Sequence, residues 1–282
     1  YKRPHPIYLT FIFKKRALNN TLINIPIYEP LNKTEAHNMR IEERTLAIVL
    51  LDIIGSTAFV QRVGDAKAAM VFQVHDRMVR DLITRFNGQE IDRSDGFLLY
   101  FEGIQDAVNF GLLYQLTVPD RTKLHGRVGI HWSTIVVVHQ DYKYIQSGAK
   151  RMELEGIGKN IAARAMSLCG RGQILLTKEA MDEFKKKGAN SYTPKSSKYS
   201  FIGAYKFKGL KKYLGLYAMG FDKDSLKIPE DSEKAKRMGG FDVLNMNEKD
   251  VAFYNYLIQL ILDPVLREQF LTAIDIIIKE FK

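Results

Sequence analysis

The sequence has almost no cysteine and no long apolar run. Cys169 is the single cysteine among 282 residues, so a disulfide framework within one chain is excluded and a reducing compartment is indicated. No segment reaches the roughly 18 to 20 consecutive apolar residues that a membrane-spanning helix needs. Apolar residues nevertheless make up 46% of the chain, which is enough for a substantial core and excludes general disorder. We therefore expect a folded cytoplasmic protein without a membrane span.

The formal net charge is +10, and the excess is concentrated in two segments. Residues 1–40 hold seven Lys and Arg against two acids, and residues 178–213 hold ten Lys against three acids. Such segments indicate either a solvated surface or a site for the phosphate groups of a small anionic ligand. They contain no zinc-finger, helix-turn-helix or aromatic RNA-binding signature, so we expect no nucleic-acid partner.

The chain is predicted to have one main domain with extensions at both ends. Residues 1–44 are basic and contain several prolines, which indicates an N-terminal arm or linker. Residues 45–220 alternate strand and helix patterns and are expected to form the domain. Residues 221–246 are charged and contain Pro and Gly, which is typical of a linker. Residues 247–282 are predicted to be a helical extension, with Asp263 and Pro264 at a helix start.

The domain pattern predicts a strand, a helix, a hairpin, a second helix and a further strand. The first strand is apolar and ends in Asp52, and a helix-like spacing follows the turn Gly55-Ser56-Thr57. An Asp-Gly signal at Asp95 and Gly96 indicates the hairpin. The predicted elements are strands 46–52, 89–92, 97–101 and 127–131 and helices 57–86, 104–116 and 158–168, followed by a closing hairpin. This βαββαβ order predicts an α+β fold with a ferredoxin-like antiparallel sheet.

Two carboxylates stand at positions that such a fold can bring together. Asp52 ends the first strand and Asp95 lies at the tip of the hairpin. Two adjacent carboxylates repel each other unless a cation lies between them, so a Mg²⁺ or Mn²⁺ site is a chemical interpretation of the pair. The alternative is that Asp52 caps its turn and Asp95 is an ordinary turn residue.

Several segments together resemble the catalytic domain of class III nucleotidyl cyclases, the superfamily of adenylate and guanylate cyclases. The resemblance spans Thr45 to Met219 and depends on the order and separation of segments that are weak evidence singly. The matching segments are Val49 to Thr57, Ser94 to Phe97, Arg127 to His131, Gly156 to Arg164, Gly172 to Leu176 and Phe207 to Leu210. The resemblance implies that residues 45–220 are a catalytic domain of the cyclase fold.

The resemblance also implies roles for individual residues. It implies two divalent cations, Mn²⁺ or Mg²⁺, bound by Asp52, Asp95 and the Ile53 carbonyl. It implies phosphate binding by the turn and the helix start that follow, at Gly55, Ser56 and Thr57. On the helix 158–168, Asn160 would orient the ribose and Arg164 would stabilise the charge on the α-phosphate, while Lys208 would reach the terminal phosphates. Taken singly, Arg164 can also be a surface arginine and Lys208 a solvated lysine.

The implied activity is conversion of a nucleoside triphosphate to a 3′,5′-cyclic nucleotide at sites shared between the two subunits of a homodimer. The positions that select the base are Ile91 and Glu153, and this pair fits neither the adenine nor the guanine pattern of the family. A shifted strand would place Arg93 near the base instead. We favour a pyrimidine cyclase, for UTP or CTP, of the kind that acts in bacterial anti-phage signalling. An ATP or GTP cyclase and an inactive dimeric nucleotide-binding module are the alternatives.

Overall fold

The computed structural model describes residues 16–18, 21–23, 41–94, 96–211, 213–237, 256, 259–260, 262–269 and 272. The chain forms two units, Tyr1–Glu42 with Val137–Glu153 and Glu43–Val136 with Leu154–Lys282. The strands are β1 Arg16–Leu18, β2 Thr21–Ile23, β3 Ile41–Ile53, β4 Gln89–Arg93, β5 Phe97–Phe101, β6 Gly126–His139, β7 Met152–Glu155, β8 Ile174–Thr177, β9 Lys198–Phe207, β10 Tyr213–Gly220 and β11 Ala235–Arg237. The helices are α1 Ser56–Val63, α2 Asp65–Arg85, α3 Ile104–Thr122, α4 Tyr142–Gln146, α5 Ile157–Leu168 and α6 Lys178–Lys187.

The smaller unit contains the antiparallel ribbon of β1 and β2 and the short helix α4. The backbone N–H of Gln140 donates to the carbonyl of Arg151, which closes the connection between the end of β6 and the start of β7. Glu42 accepts a hydrogen bond from His139 at 3.1 Å.

The main sheet has nine strands in the order β11-β9-β10-β8-β6-β3-β5-β4, with β7 paired to β6. The order β6-β3-β5-β4 follows from a βαββαβ chain path, which confirms the ferredoxin-like α+β expectation. The sheet is not wholly antiparallel, however, because β8 runs parallel to β6. The helix α5 lies between these strands in sequence and returns the chain to the same end of the sheet, as a parallel crossover requires.

The strand β3 is the centre of the core. Its apolar residues are buried on both faces, with Val49 against the α2 and α3 layer and Ile48 close to α5. Burial on both faces explains why this strand reads as a continuous apolar run rather than an alternating one. Each large apolar side chain so buried contributes about 1.5–3 kcal/mol relative to an exposed one.

The predicted helix 57–86 is two helices that meet at Gly64. This residue has φ of +83°, a backbone conformation that glycine adopts without strain, and it ends α1 before α2 begins. The break leaves α1 as a short helix beside the end of β3.

Two further segments lie beyond the main predicted domain. The stretch 221–246, interpreted as a linker, contains β11, which pairs with β9 at the edge of the sheet. Within 247–282 the described residues 264–269 are helical, and Leu260 is buried. Gln259 donates to the Tyr217 hydroxyl at 3.4 Å. The remainder of the predicted extension, and most of the arm 1–44, lies outside the described residues.

Gly129 on β6 sets how closely α5 approaches the sheet. A Cβ atom at this position would lie 2.4 Å from the Met166 nitrogen and 2.5 Å from the Ala162 oxygen, both backbone atoms of α5. Helix α5 therefore rests directly on the backbone of β6.

We expect Gly129→Ala to lower the free energy of unfolding by about 1–3 kcal/mol, because the added methyl group forces α5 away from the sheet. Gly111→Ala is the matched control, since its Cβ would lie 3.4 Å from the nearest atom, in Ile174, and alanine favours the helix interior. Urea unfolding of both variants measures the difference. Equal stability of Gly129→Ala and the wild type would contradict the close approach.

Candidate active site

A pocket of about 550 Å³ opens where β3 ends and α1 begins. We call it the carboxylate pocket. Of the residues predicted as site residues, it brings together Asp52, Ile53, Ser56, Thr57 and Arg93. It is completed by Val60, Gln61, Phe72 and Ser94.

Helix α1 begins at the edge of this pocket, where its first residues, Ser56 and Thr57, are part of the lining. Gly55 has φ of +70° and is the N-cap of α1, and no side chain caps the helix start. The first N–H groups of a helix have no partner within the helix and carry partial positive charge, so they can bind phosphate oxygens. Gly55 itself does not line the carboxylate pocket; it lines a smaller neighbouring pocket, with Lys123, His125 and Arg171.

The hairpin turn that carries Asp95 begins and ends beside β3. Asp95 lies outside the described residues, but Ser94 lines the carboxylate pocket and Gly96 abuts the backbone of β3. A Cβ atom on Gly96 would lie 2.4 Å from the Leu51 oxygen and 3.5 Å from the Asp52 Cα. Glycine is therefore required after Asp95 for the turn to approach this closely.

Asp52 is held by an arginine that the sequence analysis did not assign to the site. Its Oδ2 accepts hydrogen bonds from Arg127 at 2.6 Å and 3.0 Å, and both side chains are less than a third exposed. A third nitrogen of the Arg127 guanidinium donates to the Ser167 carbonyl on α5 at 3.4 Å. Arg127 opens one of the segments that resemble the cyclase family, Arg127 to His131, but no local pattern of the sequence pairs it with Asp52.

Arg93 is directed to an acid on α2. It donates to the two carboxylate oxygens of Asp76 at 3.0 Å and 3.1 Å and lies over the Phe97 ring at 4.9 Å. The buried His75 donates to Asp76 at 3.0 Å. Partial burial alone would raise the pKa of Asp76, but the hydrogen bonds from His75 and Arg93 outweigh it and hold that pKa below its usual value. Asp76 is therefore ionised at neutral pH and fixes Arg93.

The two other predicted base-selecting residues lie on different strands. Ile91 is only 8% exposed and does not line the carboxylate pocket, and the pairing of β4 with β5 shifts register around it. Glu153 lies on β7 and is half-buried.

A second pocket, of about 430 Å³, brings together the predicted cationic residues. We call it the arginine pocket. Asn160 and Arg164 project from one face of α5, four residues apart, and Lys208 comes from the turn after β9. Its other lining residues are Ile157, Ala163, Ser167, Gly209 and Leu210. The predicted metal ligand Asp52 and the predicted catalytic residues Asn160 and Arg164 thus lie in different pockets of the chain.

The donors of the carboxylate pocket suit a hard divalent cation. Asp52 and Ile53 line it, and carboxylate and backbone carbonyl oxygens are the ligands that Mg²⁺ and Mn²⁺ prefer. Among the described residues, no three His, Cys, Asp or Glu side chains cluster to form a complete metal site. A cation bound here would therefore complete its shell with water, with the substrate or with groups outside the described residues.

The single cysteine has no catalytic environment. Cys169 is buried, its thiol donates to the Val128 carbonyl at 3.2 Å, and burial raises its pKa to about 12. It is protonated at neutral pH and belongs to the core.

Among the helices of the described residues, none has both the length and the apolar character needed to cross a membrane.

Comparisons with known proteins support the fold. No protein-family model and no curated protein matches the chain. Among solved structures, it is similar to the adenylyl cyclase CyaB from P. aeruginosa at 15% identity and a TM-score of 0.56, over 67% of this chain and 100% of that chain. Adenylate cyclases from Trypanosoma brucei match at 20% identity and a TM-score of 0.52, over 67% of this chain and 91% of that chain. The guanylate cyclase domain of RhGC from Catenaria anguillulae, in complex with GTP, matches at 16% identity and a TM-score of 0.52, over 64% of this chain and 100% of that chain. The chain therefore has the fold of adenylyl and guanylyl cyclase domains.

Arg127 and a cation would compete for Asp52, because both are positive and approach the same carboxylate. We expect Arg127→Gln to bind Mn²⁺ several-fold more tightly than the wild type, as measured by calorimetry or by the electron paramagnetic resonance signal of free Mn²⁺. Arg80→Gln is the matched control, since it breaks the two-bond pair with Glu90 outside this pocket. Weaker Mn²⁺ binding by Arg127→Gln would show that Arg127 supports the cation rather than competing with it.

Proposed function

We propose that the protein is a nucleotidyl cyclase that converts a nucleoside triphosphate to a 3′,5′-cyclic nucleotide and pyrophosphate. The observation that carries the proposal is the pair of pockets on a cyclase-type fold. One pocket contains a carboxylate and a helix start, and the other contains Asn160, Arg164 and Lys208. A metal–triphosphate substrate requires both groups, since its cations need oxygen ligands and its phosphates need positive donors.

Each residue has a defined part in this reaction. Divalent cations bound at Asp52 and Asp95 would make the ribose 3′-hydroxyl more acidic and neutralise the triphosphate. The N–H groups at the start of α1 hold phosphate oxygens, and Lys208 contacts the terminal phosphates. Asn160 orients the ribose so that the 3′-oxygen faces the α-phosphorus. Arg164 stabilises the charge that develops on the α-phosphate as pyrophosphate leaves.

A homodimer with shared sites is part of the proposal. Asp52 lines one pocket of the chain, and Asn160, Arg164 and Lys208 line another. A twofold axis would place the carboxylate pocket of one protomer against the arginine pocket of its partner and would form two equal sites.

For the base, we propose a pyrimidine, and ATP or GTP is the alternative. Ile91 is aliphatic and Arg93 is bound to Asp76. Neither residue therefore presents the polar groups that select a purine in class III nucleotidyl cyclases, the family that the sequence resembles. A buried polar base edge without a partner costs on the order of 1–3 kcal/mol, which disfavours a purine beside an aliphatic side chain.

By the same resemblance we propose a role in anti-phage signalling, which loss of phage resistance on deletion of the gene would test.

The decisive experiment incubates the purified protein with ATP, GTP, CTP or UTP and Mn²⁺ and identifies cyclic products by mass spectrometry. We expect cyclic UMP or cyclic CMP as the main product. A purine product would establish the alternative base. No product from any of the four nucleotides would refute the cyclase proposal and favour a dimeric nucleotide-binding module.

The same assay tests the base contact assigned to Glu153. We expect Glu153→Ala to lower activity on the preferred nucleotide and to change base preference, because an ionised carboxylate accepts a hydrogen bond from the base. Glu155→Ala, two residues along the same strand, is the control. Unchanged base preference in Glu153→Ala would remove this residue from the site.

Shared sites are tested by mixing two inactive variants. We expect Asp52→Ala and Arg164→Ala each to lose nearly all activity while keeping the fold. After subunit exchange, the heterodimer regains one intact site, so activity returns to about a quarter of the wild-type value for random pairing. Subunit exchange shown by native mass spectrometry, with activity still absent, would contradict the shared arrangement.

A further inference from the structure

A third pocket, of about 550 Å³, lies at the β11 edge of the main sheet. We call it the lysine pocket. Its ionisable lining consists of Lys206, Lys208, Lys234, Lys236 and Arg237, against Glu233 as the one carboxylate and Tyr213 as the phenol. The four lysines are exposed, and the sheet beneath them is closed by the buried Phe207 and Ala235.

The lysines face one another in pairs across the two strands. Lys206 on β9 is directly opposite Lys236 on β11. One step further, the backbone N–H of Lys208 donates to the Lys234 carbonyl at 2.9 Å, so this second pair is also juxtaposed. Phe207 and Ala235 lie between the two pairs and point into the core, which places all four lysines on the opposite face.

Like charges directly opposite each other on neighbouring strands destabilise a sheet. Here two such lysine pairs follow each other along β9 and β11, and β11 is a short edge strand of three residues. Lys206 relieves part of this charge by donating to the Lys211 carbonyl at 2.5 Å and by lying 5.1 Å from the Tyr213 ring. The remaining positive charge faces an open pocket rather than a row of acids.

The lysine pocket is continuous with the arginine pocket, since Lys208, Gly209 and Leu210 line both. Gly209 has φ of +87° and forms the turn between them. A ligand that contacts both Arg164 and Lys208 therefore extends to the border of the lysine pocket.

We propose that the lysine pocket binds a polyphosphate group, either the terminal phosphates of a nucleoside triphosphate or free pyrophosphate. Two lysine pairs about 6–7 Å apart along the strands, at 3.2–3.4 Å per residue, match a ligand that carries charge on successive phosphates. Ammonium groups bind such oxygens through charge-assisted hydrogen bonds. This inference rests on the proposed function for its biological meaning, and it extends that site from Lys208 to Lys206, Lys234 and Lys236.

Binding is tested without catalysis, in metal-free buffer, by calorimetry and thermal shift with three probes. The probes are inorganic pyrophosphate, inorganic tripolyphosphate and a non-cyclisable nucleoside triphosphate. We expect all three to raise the melting temperature, and orthophosphate to do so less at equal concentration. Response to pyrophosphate identifies the free product as a ligand, and response to the nucleotide alone identifies the terminal phosphates of the substrate. Absence of binding by all three probes would overturn the proposal.

The pocket is assigned by paired charge-matched variants. Lys234→Ala/Lys236→Ala should weaken pyrophosphate binding about tenfold or more, because two charge-assisted contacts are lost. Lys186→Ala/Lys187→Ala removes the same charge from the end of α6 and should leave binding unchanged. Equal losses in the two double variants would show that net charge, and not this pocket, attracts the ligand.

A charge reversal gives an independent readout. Lys236→Glu places an acid opposite Lys206, so we expect a higher melting temperature without ligand and loss of the ligand-induced increase. A variant that is more stable yet binds pyrophosphate as the wild type does would overturn the proposal.

The outcomes separate this inference from the cyclase proposal. Asp52→Ala should lose cyclisation and still bind pyrophosphate in the absence of metal. Cyclase activity in a protein that binds none of the three probes in metal-free buffer would refute the lysine pocket alone. Pyrophosphate binding in a protein that makes no cyclic nucleotide would refute the cyclase proposal alone.

Discussion

Burial of β3 on both faces is the constraint on which the candidate site depends. Helices α2 and α3 cover one face of this strand and α5 approaches the other, so the strand has little freedom to shift. A shift of one residue would exchange the two buried sets of side chains. Asp52 stands at the end of this strand, and Ser56 and Thr57 follow within one turn. The position of the carboxylate pocket is therefore determined by the same apolar contacts that hold the core together.

Charge around the carboxylate pocket is balanced locally by two ion pairs. Arg127 neutralises Asp52, and Asp76 neutralises Arg93. Both pairs are partly buried, where a lone charge would be costly and an oppositely charged neighbour offsets part of that cost. The arginine and lysine pockets are different, because their cations are not matched by a comparable set of lining acids. A ligand of the carboxylate pocket must therefore compete with an existing ion pair. An anion in the arginine or lysine pocket instead meets cations that few lining acids neutralise.

Local sequence patterns predicted those features that depend on neighbouring residues. The strand ending at Asp52 could be read from its apolar run, and the shared face of Asn160 and Arg164 follows from helical spacing. The contact of Arg127 with Asp52 joins residues 75 positions apart, so no local pattern reports it. The strand β11 has three residues and little apolar content, which made its segment resemble a linker. The pairing of Lys206 with Lys236 depends on that strand and was therefore also beyond prediction.

The contact of Arg127 with the Ser167 carbonyl has a consequence for cooperativity. One guanidinium joins the acid at the end of β3 to the last turn of α5, the helix that carries Asn160 and Arg164. A ligand that draws Arg127 away from Asp52 also changes the hydrogen bonding at the end of α5. Because such coupling is reciprocal, a change at α5 alters the free energy of binding at Asp52 by the same amount. In the proposed dimer with shared sites these two pockets would serve different substrate molecules, and this single side chain would then link the occupancy of one site to that of the other.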